Sequence, residues 1–126
     1  MKNRIIVCGT RTFNDDELLY SKLDEITKDM TDVEIISGAC EGADNIGEKY
    51  AKDKGLLLKV FPANWDKYGA AAGPLRNEQM LNYALQEKAL VVAFWNGKSR
   101  GTSNMIKIAK NSGVTVYTYI YECNRG

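Results

Sequence analysis

Short apolar runs alternate with amphipathic stretches along the whole chain, and few folds accommodate that pattern. The first run, Ile5 to Cys8, reads as a strand. A turn at Gly9-Thr10-Arg11 leads to a helix capped by Asn14, opened by Asp15, Asp16 and Glu17, with Leu18, Leu19, Leu23, Ile26 and Met30 at helical spacing. Val33 to Ile36 is a second strand, 43–54 a second helix stopped by Gly55, and Leu56 to Val60 a third strand. A long loop is expected from Pro62 to Gly73, followed by a helix with Pro74 in its first turn and Met80, Leu81, Tyr83, Ala84 and Leu85 along it. Ala89 to Phe94 is a fourth strand, 103–110 a fourth helix closed by Gly113, and Val114 to Ile120 a fifth strand. Strands this continuously apolar, each followed by a helix, belong in a parallel sheet covered on both faces. With right-handed crossovers, the expected fold is α/β: a single Rossmann-like doubly wound domain over 1–126, with a mainly parallel five-stranded sheet flanked by helices.

In such sheets ligands lie beyond the carboxyl ends of the strands, near the point where strand order reverses. Four loops reach that edge: Gly9 to Arg11, Ser37 to Asp44, Asn64 to Asn77, and Trp95 to Thr102. The last is the richest. A strand, a Gly/Ser/Arg turn and a helix start make an anion pocket, because the first amides of a helix lack internal partners and carry partial positive charge. Glycine admits close approach of a phosphate, and Arg100 adds a fixed cation.

Composition narrows the chemistry. The chain is 44% apolar and 26% charged, which fits a globular domain. A formal charge of +1 argues against a general nucleic-acid coat while permitting one local basic pocket. With no histidine, every Ser/His/Asp triad is excluded. The three cysteines, Cys8, Cys40 and Cys123, form no CxxC pair and fit a reduced setting better than a disulfide scaffold; no metal site is expected. No signal peptide or membrane span is read in the chain, so a cytoplasmic, unanchored protein is expected.

Each loop residue has two readings. Gly9, Gly38 and Gly42 serve either tight turns or ligand approach. Arg11, Arg76 and Arg100 are either solvated cations or anion ligands; three of them on ligand-edge loops favour phosphate or carboxylate. Trp65 and Trp95 either pack or stack a base. Asp44 is a helix N-terminal carboxylate or a ribose ligand. Glu41 and Glu78, the loop-edge glutamates, are weak candidates for general acid or base. A stripe of Tyr117, Tyr119 and Tyr121 either packs under a helix or meets another subunit.

Gly9-Thr10-Arg11, Ser37-Gly38-Ala39 with Gly42-Ala43-Asp44, Gly73-Pro74-Leu75-Arg76-Asn77 with Met80, and Ser99-Arg100-Gly101-Thr102 together resemble the YspA-like branch of the SLOG superfamily, over roughly 4–119. The resemblance implies a Rossmann-like domain that binds nucleotides or nucleotide-derived small molecules. It also implies relatedness to the LOG phosphoribohydrolases (lysine decarboxylase-like proteins), which hydrolyse the N-glycosidic bond of nucleoside monophosphates. Those enzymes carry a Pro-Gly-Gly-x-Gly-Thr loop followed by glutamates. Here Asn96 to Arg100 replaces the Pro-Gly-Gly run, and Ser103-Asn104-Met105 stands where the glutamates would be. The resemblance therefore implies binding without the acid. Gly9, Thr10, Arg11, Ser37, Gly38, Gly42, Asp44, Arg76, Asn77, Ser99, Arg100, Gly101 and Thr102 are the expected ligand residues. The expected role is a sensor or sequestering module for a nucleotide-type ligand, with no further cofactor. The alternatives are a phosphoribohydrolase-like enzyme and, through likeness to DNA-processing protein A, a DNA-linked role, which the near-neutral charge disfavours. Relatives of the LOG type dimerise beside the pocket, so a homo-oligomer is expected.

Overall fold

Ile5, Val7, Ile35, Val92 and Phe94 are buried on one face of a sheet; Ile6, Cys8, Ile36, Val91 and Ala93 are buried on the other. Successive strand residues point to opposite faces, so strands apolar at every position must be covered twice. The computed structural model describes residues 1–121 and shows that arrangement. The strands are β1 (Asn3–Gly9), β2 (Val33–Ser37), β3 (Leu57–Val60), β4 (Lys88–Trp95) and β5 (Thr115–Ile120). They form one sheet in the order β3-β2-β1-β4-β5, with every neighbouring pair parallel.

Helices α1 (Asp16–Thr27) and α2 (Ala43–Lys54) cover the first face through Leu19, Leu23, Ile46 and Tyr50. Helices α4 (Ala72–Leu85) and α5 (Arg100–Asn111) cover the second through Met80, Leu81, Ala84, Met105, Ile106 and Ala109. The chain winds from β1 outward to β3, then crosses back to β4 on the other side of β1. Strand order therefore reverses between β1 and β4, which lead into helices on opposite faces and leave a crevice between their loops.

Several boundaries differ from the sequence reading, and four of them have a clear local setting. Asp15, not Asn14, caps α1, its side chain accepting from the Leu18 amide at 3.0 Å. The stretch expected as a loop from 62 to 73 contains a short helix, α3 (Trp65–Tyr68), capped by Asn64, and a 3-10 turn over Gly69–Ala71. Helix α5 starts at Arg100 rather than 103, so Arg100, Gly101 and Thr102 form its first turn. The first strand extends to Gly9, and a β-carbon there would lie 2.3 Å from the Phe94 carbonyl oxygen and 2.7 Å from the Ala43 β-carbon. Gly9→Ala must push backbone against backbone and is expected to cost about 1–3 kcal/mol, read as a lower urea midpoint at unchanged slope.

The tyrosine stripe divides. Tyr119 stacks on Phe94 (5.4 Å) and Tyr121 meets Phe13 edge-on (4.9 Å), while Tyr117 on edge strand β5 remains 43% exposed. Cys8 is buried and Cys40 half-buried, both free thiols; Cys123 lies outside the described residues. Among the described residues, no helix is long and apolar enough to cross a membrane, and no group of three or more Cys, Asp or Glu could hold a metal ion.

Candidate functional site

The loops after β1 and β4 are tied to each other before any ligand is considered. The Thr10 amide donates to the Phe94 carbonyl (3.0 Å), and the Thr10 hydroxyl accepts from the Asn96 amide (3.1 Å). Asn96 then folds its own loop: its Oδ1 accepts from the amides of Lys98 (2.9 Å) and Ser99 (3.0 Å), an Asx turn that places Ser99 at the start of α5. Among the described residues, no side chain caps the amides of that helix, and its first turn holds no acidic residue. The positive end of α5 is thus left without an internal counter-charge.

Ser99, Arg100, Gly101 and Thr102 line a cleft of about 710 Å³ at the β1/β4 reversal point. Arg11 and Thr10 enter from the β1 loop, Cys40 and Asp44 from the β2–α2 connection, Trp65 from α3, and Arg76 and Met80 from α4. Among the described residues, four cations line it (Arg11, Arg76, Lys98, Arg100) against one carboxylate, Asp44. Trp65 is 46% exposed and leans on Gly73, whose missing side chain makes room for the ring; the Arg11 guanidinium lies 5.9 Å from the ring centre. A second hollow, outside α1 and α2, shares no residue with this one. Asp16, Glu17, Asp24, Glu25 and Asp53 line it beside Lys49, a field that repels anions.

At the base of the cleft Arg76 is 8% exposed and Asp44 4% exposed. Arg76 donates through Nη1 to the Gly38 carbonyl (2.6 Å) and through Nε to Asn77 Oδ1 (3.0 Å); Nη1 is also 3.4 Å from the Cys40 sulfur. Asp44 Oδ2 accepts from the Gly38 amide (3.0 Å). Both side chains close over Gly38: a β-carbon there would sit 2.7 Å from Arg76 Nη1 and 2.8 Å from Asp44 Oδ2. Burial pushes the Asp44 carboxyl up to about 7, against the opposing pull of Arg76 and of the Cys40 and Gly38 amides. Burial also pushes the Cys8 thiol far up, so it stays a neutral thiol at the cleft floor.

The expected residues sort clearly by position. Gly9, Thr10, Arg11, Asp44, Arg76, Asn77, Ser99, Arg100, Gly101, Thr102 and Trp65 come together around the cleft. Ser37, Gly38 and Gly42 do not line it; they build its walls. Ser37 is fully buried, its hydroxyl donating to Glu48 (2.6 Å) and accepting from the Ala39 amide. Gly42 has φ +79° and packs so closely on the first loop that a β-carbon would meet the Thr10 carbonyl oxygen at 2.4 Å. Trp95 also lies outside the cleft: it packs against the second-face core and its ring nitrogen donates to the Ser99 carbonyl (3.0 Å). Asn77, though at the cleft, is a bracket. Its Nδ2 donates to the Gly101 carbonyl (3.1 Å) and to Asn104 Oδ1 (2.9 Å), fixing α5 against α4. Glu41 and Glu78 are exposed and neither lines the cleft.

Lys98, Asn96, Cys40 and Asn104 line the cleft without having been singled out as ligand residues. Asn96-Gly97 is a recognisable turn dipeptide, so its role was available from the sequence. The others depend on which way each loop folds.

The chain is 26% identical to the Gene 61 protein of Mycobacterium phage D29 over 122 residues, covering 92% of this chain and 95% of that one. Its fold is similar to that of DNA processing protein A (DprA) from Streptococcus pneumoniae, with a TM-score of 0.50 at 14% identity. The match covers 92% of this chain but 58% of the DprA chain, so this protein spans little more than half of that structure. The model of the YspA, cpYpsA-related SLOG family matches residues 3–68, just over half of the chain and the part that carries the Gly9–Arg11 and Ser37–Asp44 loops. The chain belongs to the YspA, cpYpsA-related SLOG family.

Proposed function

We propose that this protein binds a phosphorylated, nucleotide-type small molecule in the cleft at the β1/β4 reversal point. One observation carries the proposal: Arg11, Arg76 and Arg100 line the same concavity as the uncapped, acid-free N-terminus of α5. Phosphate would be held by the amides around Gly101 and Thr102 and neutralised by Arg100, with Arg76 fixed beneath it. Trp65, on the rim and half-exposed, offers a ring face for a base. Family membership agrees with a ligand-binding Rossmann-like domain.

Calorimetry with AMP and ADP-ribose tests the proposal. Binding to wild-type protein is expected, and Arg100→Ala should weaken it at least ~10-fold, the loss of one charge-assisted contact of about 1.5 kcal/mol. Arg100 is exposed, so its replacement should leave the unfolding midpoint unchanged. Equal affinity in wild type and Arg100→Ala would contradict the placement of phosphate.

The proposed role is binding rather than glycosidic hydrolysis. Glu41 and Glu78 lie away from the cleft, Asn104 is committed to Asn77, and Met105 is fully buried. Nucleoside monophosphates incubated with concentrated protein are expected to release no free base by chromatography. A gel shift with single-stranded DNA should be lost at moderate salt, since one cationic cleft neutralises few phosphates.

A further inference from the structure

We propose that Asp44 takes up a proton when an anionic ligand enters the cleft, so that the affinity of this site is set by pH. This rests on the anion-binding function proposed above and adds its regulation.

The geometry places one carboxyl, 4% exposed, in the wall of a cleft whose other charged groups, among the described residues, are all cations. Groups on three neighbouring segments set its state. Arg76 from α4 favours the charged form, as do the amides of Gly38 and Cys40 in the preceding loop. Glu48, one turn further along α2, opposes it, and burial opposes it more strongly than any other influence. Cys8 from β1 faces the carboxyl as a neutral thiol and brings no charge. Arg11, Lys98 and Arg100 line the same cleft. Burial outweighs the opposing pull, and the carboxyl stands at about 7 in the absence of ligand.

A bound phosphate anion adds a like charge to the same low-dielectric space and withdraws part of the arginines' attraction from Asp44. Both effects favour the neutral acid. By linkage, a ligand that raises the affinity of Asp44 for a proton must itself bind more tightly when the proton is present. The sign follows. Below about pH 6 the carboxyl is already neutral, and affinity should be flat. Above about 7 the proton has to be recruited, and affinity should fall by up to ~10-fold per pH unit, the limit for one linked proton.

The test is calorimetric titration with ADP-ribose, whose pyrophosphate holds constant charge from about pH 5.5 to about 8.5. Each pH is run in two buffers of different ionisation enthalpy. The expected result is affinity that declines above about pH 7 with net uptake of up to one proton. Asp44→Asn keeps an acceptor for the Gly38 amide but cannot ionise, so it should bind with nearly constant affinity and exceed wild type at pH 8.5. The wild-type series stands alone if that variant folds poorly. ADP-ribose affinity that is constant across the range, with no buffer dependence of the heat, overturns the role of Asp44 while leaving the binding site intact. No ADP-ribose binding at any pH overturns the site itself, and the proton linkage with it.

Discussion

Arg76→Met is expected to lower stability by about 3 kcal/mol near pH 8 and by roughly half as much near pH 5.5, and to weaken nucleotide binding at either pH. The guanidinium supports the β2–α2 turn through the Gly38 carbonyl and stands beside a buried carboxyl. Methionine fills similar space but leaves that carbonyl without its donor and Asp44 without its cation. The pH dependence comes from Asp44. Its carboxyl binds a proton more tightly when folded, at about 7, than the ordinary value near 4. It therefore favours the fold fully below about pH 4, and that contribution is gone once pH has risen through about 7. Removing Arg76 raises the carboxyl further, so the added cost falls on the alkaline side, where the wild-type group is charged. Urea denaturation at the two pH values measures it. A cost equal at both would mean that Asp44 is indifferent to Arg76.

Arg4→Met is expected to destabilise by about 3–5 kcal/mol while leaving nucleotide affinity unchanged in whatever fraction stays folded. Arg4 and Glu34 are register partners on β1 and β2, buried at the amino end of the sheet. Arg4 Nε meets Glu34 Oε1 at 2.9 Å, its Nη1 donates to the Tyr83 carbonyl (2.6 Å), and the guanidinium lies 3.8 Å from the centre of the Tyr83 ring. The Tyr83 hydroxyl donates to the Glu34 carboxylate at 2.9 Å. Removing the cation strands a buried carboxylate with one remaining partner. Native stabilities of about 5–15 kcal/mol leave little reserve for such a loss. The comparison separates two buried arginines by position: one holds the floor of the cleft, the other the far edge of the sheet. Thermal and urea unfolding give the first half of the prediction, and calorimetry on the folded protein gives the second.

Much of the fold was legible because strands such as Ile5-Ile6-Val7-Cys8 are apolar at every position, which only a doubly covered sheet explains. Boundaries set by a single side-chain bond were less visible. Asn14 and Asp15 are equally good caps on paper, and the choice depends on which one reaches the Leu18 amide. The loop compositions correctly marked the carboxyl edge, yet composition does not say which residues face inward. Ser37 and Trp95 look like ligand residues and instead hold turns, because each has a backbone or carboxylate partner closer than the cleft. Asp44 looks like an ordinary helix-opening carboxylate. Its raised proton affinity comes from burial in the folded protein, which outweighs the opposing pull of Arg76, a tertiary effect with no sequence signal.

The most direct test of the central claim is amide chemical-shift mapping of isotopically labelled protein titrated with ADP-ribose. The account predicts that resonances of Thr10, Arg11, Cys40, Arg100, Gly101 and Thr102 move together along one saturable curve, while those of Arg4, Glu34 and Tyr83 stay fixed. Shifts concentrated at Asp16, Tyr20, Lys49 and Asp53 on the outer face of α1 and α2, or no saturable shifts anywhere, would contradict it.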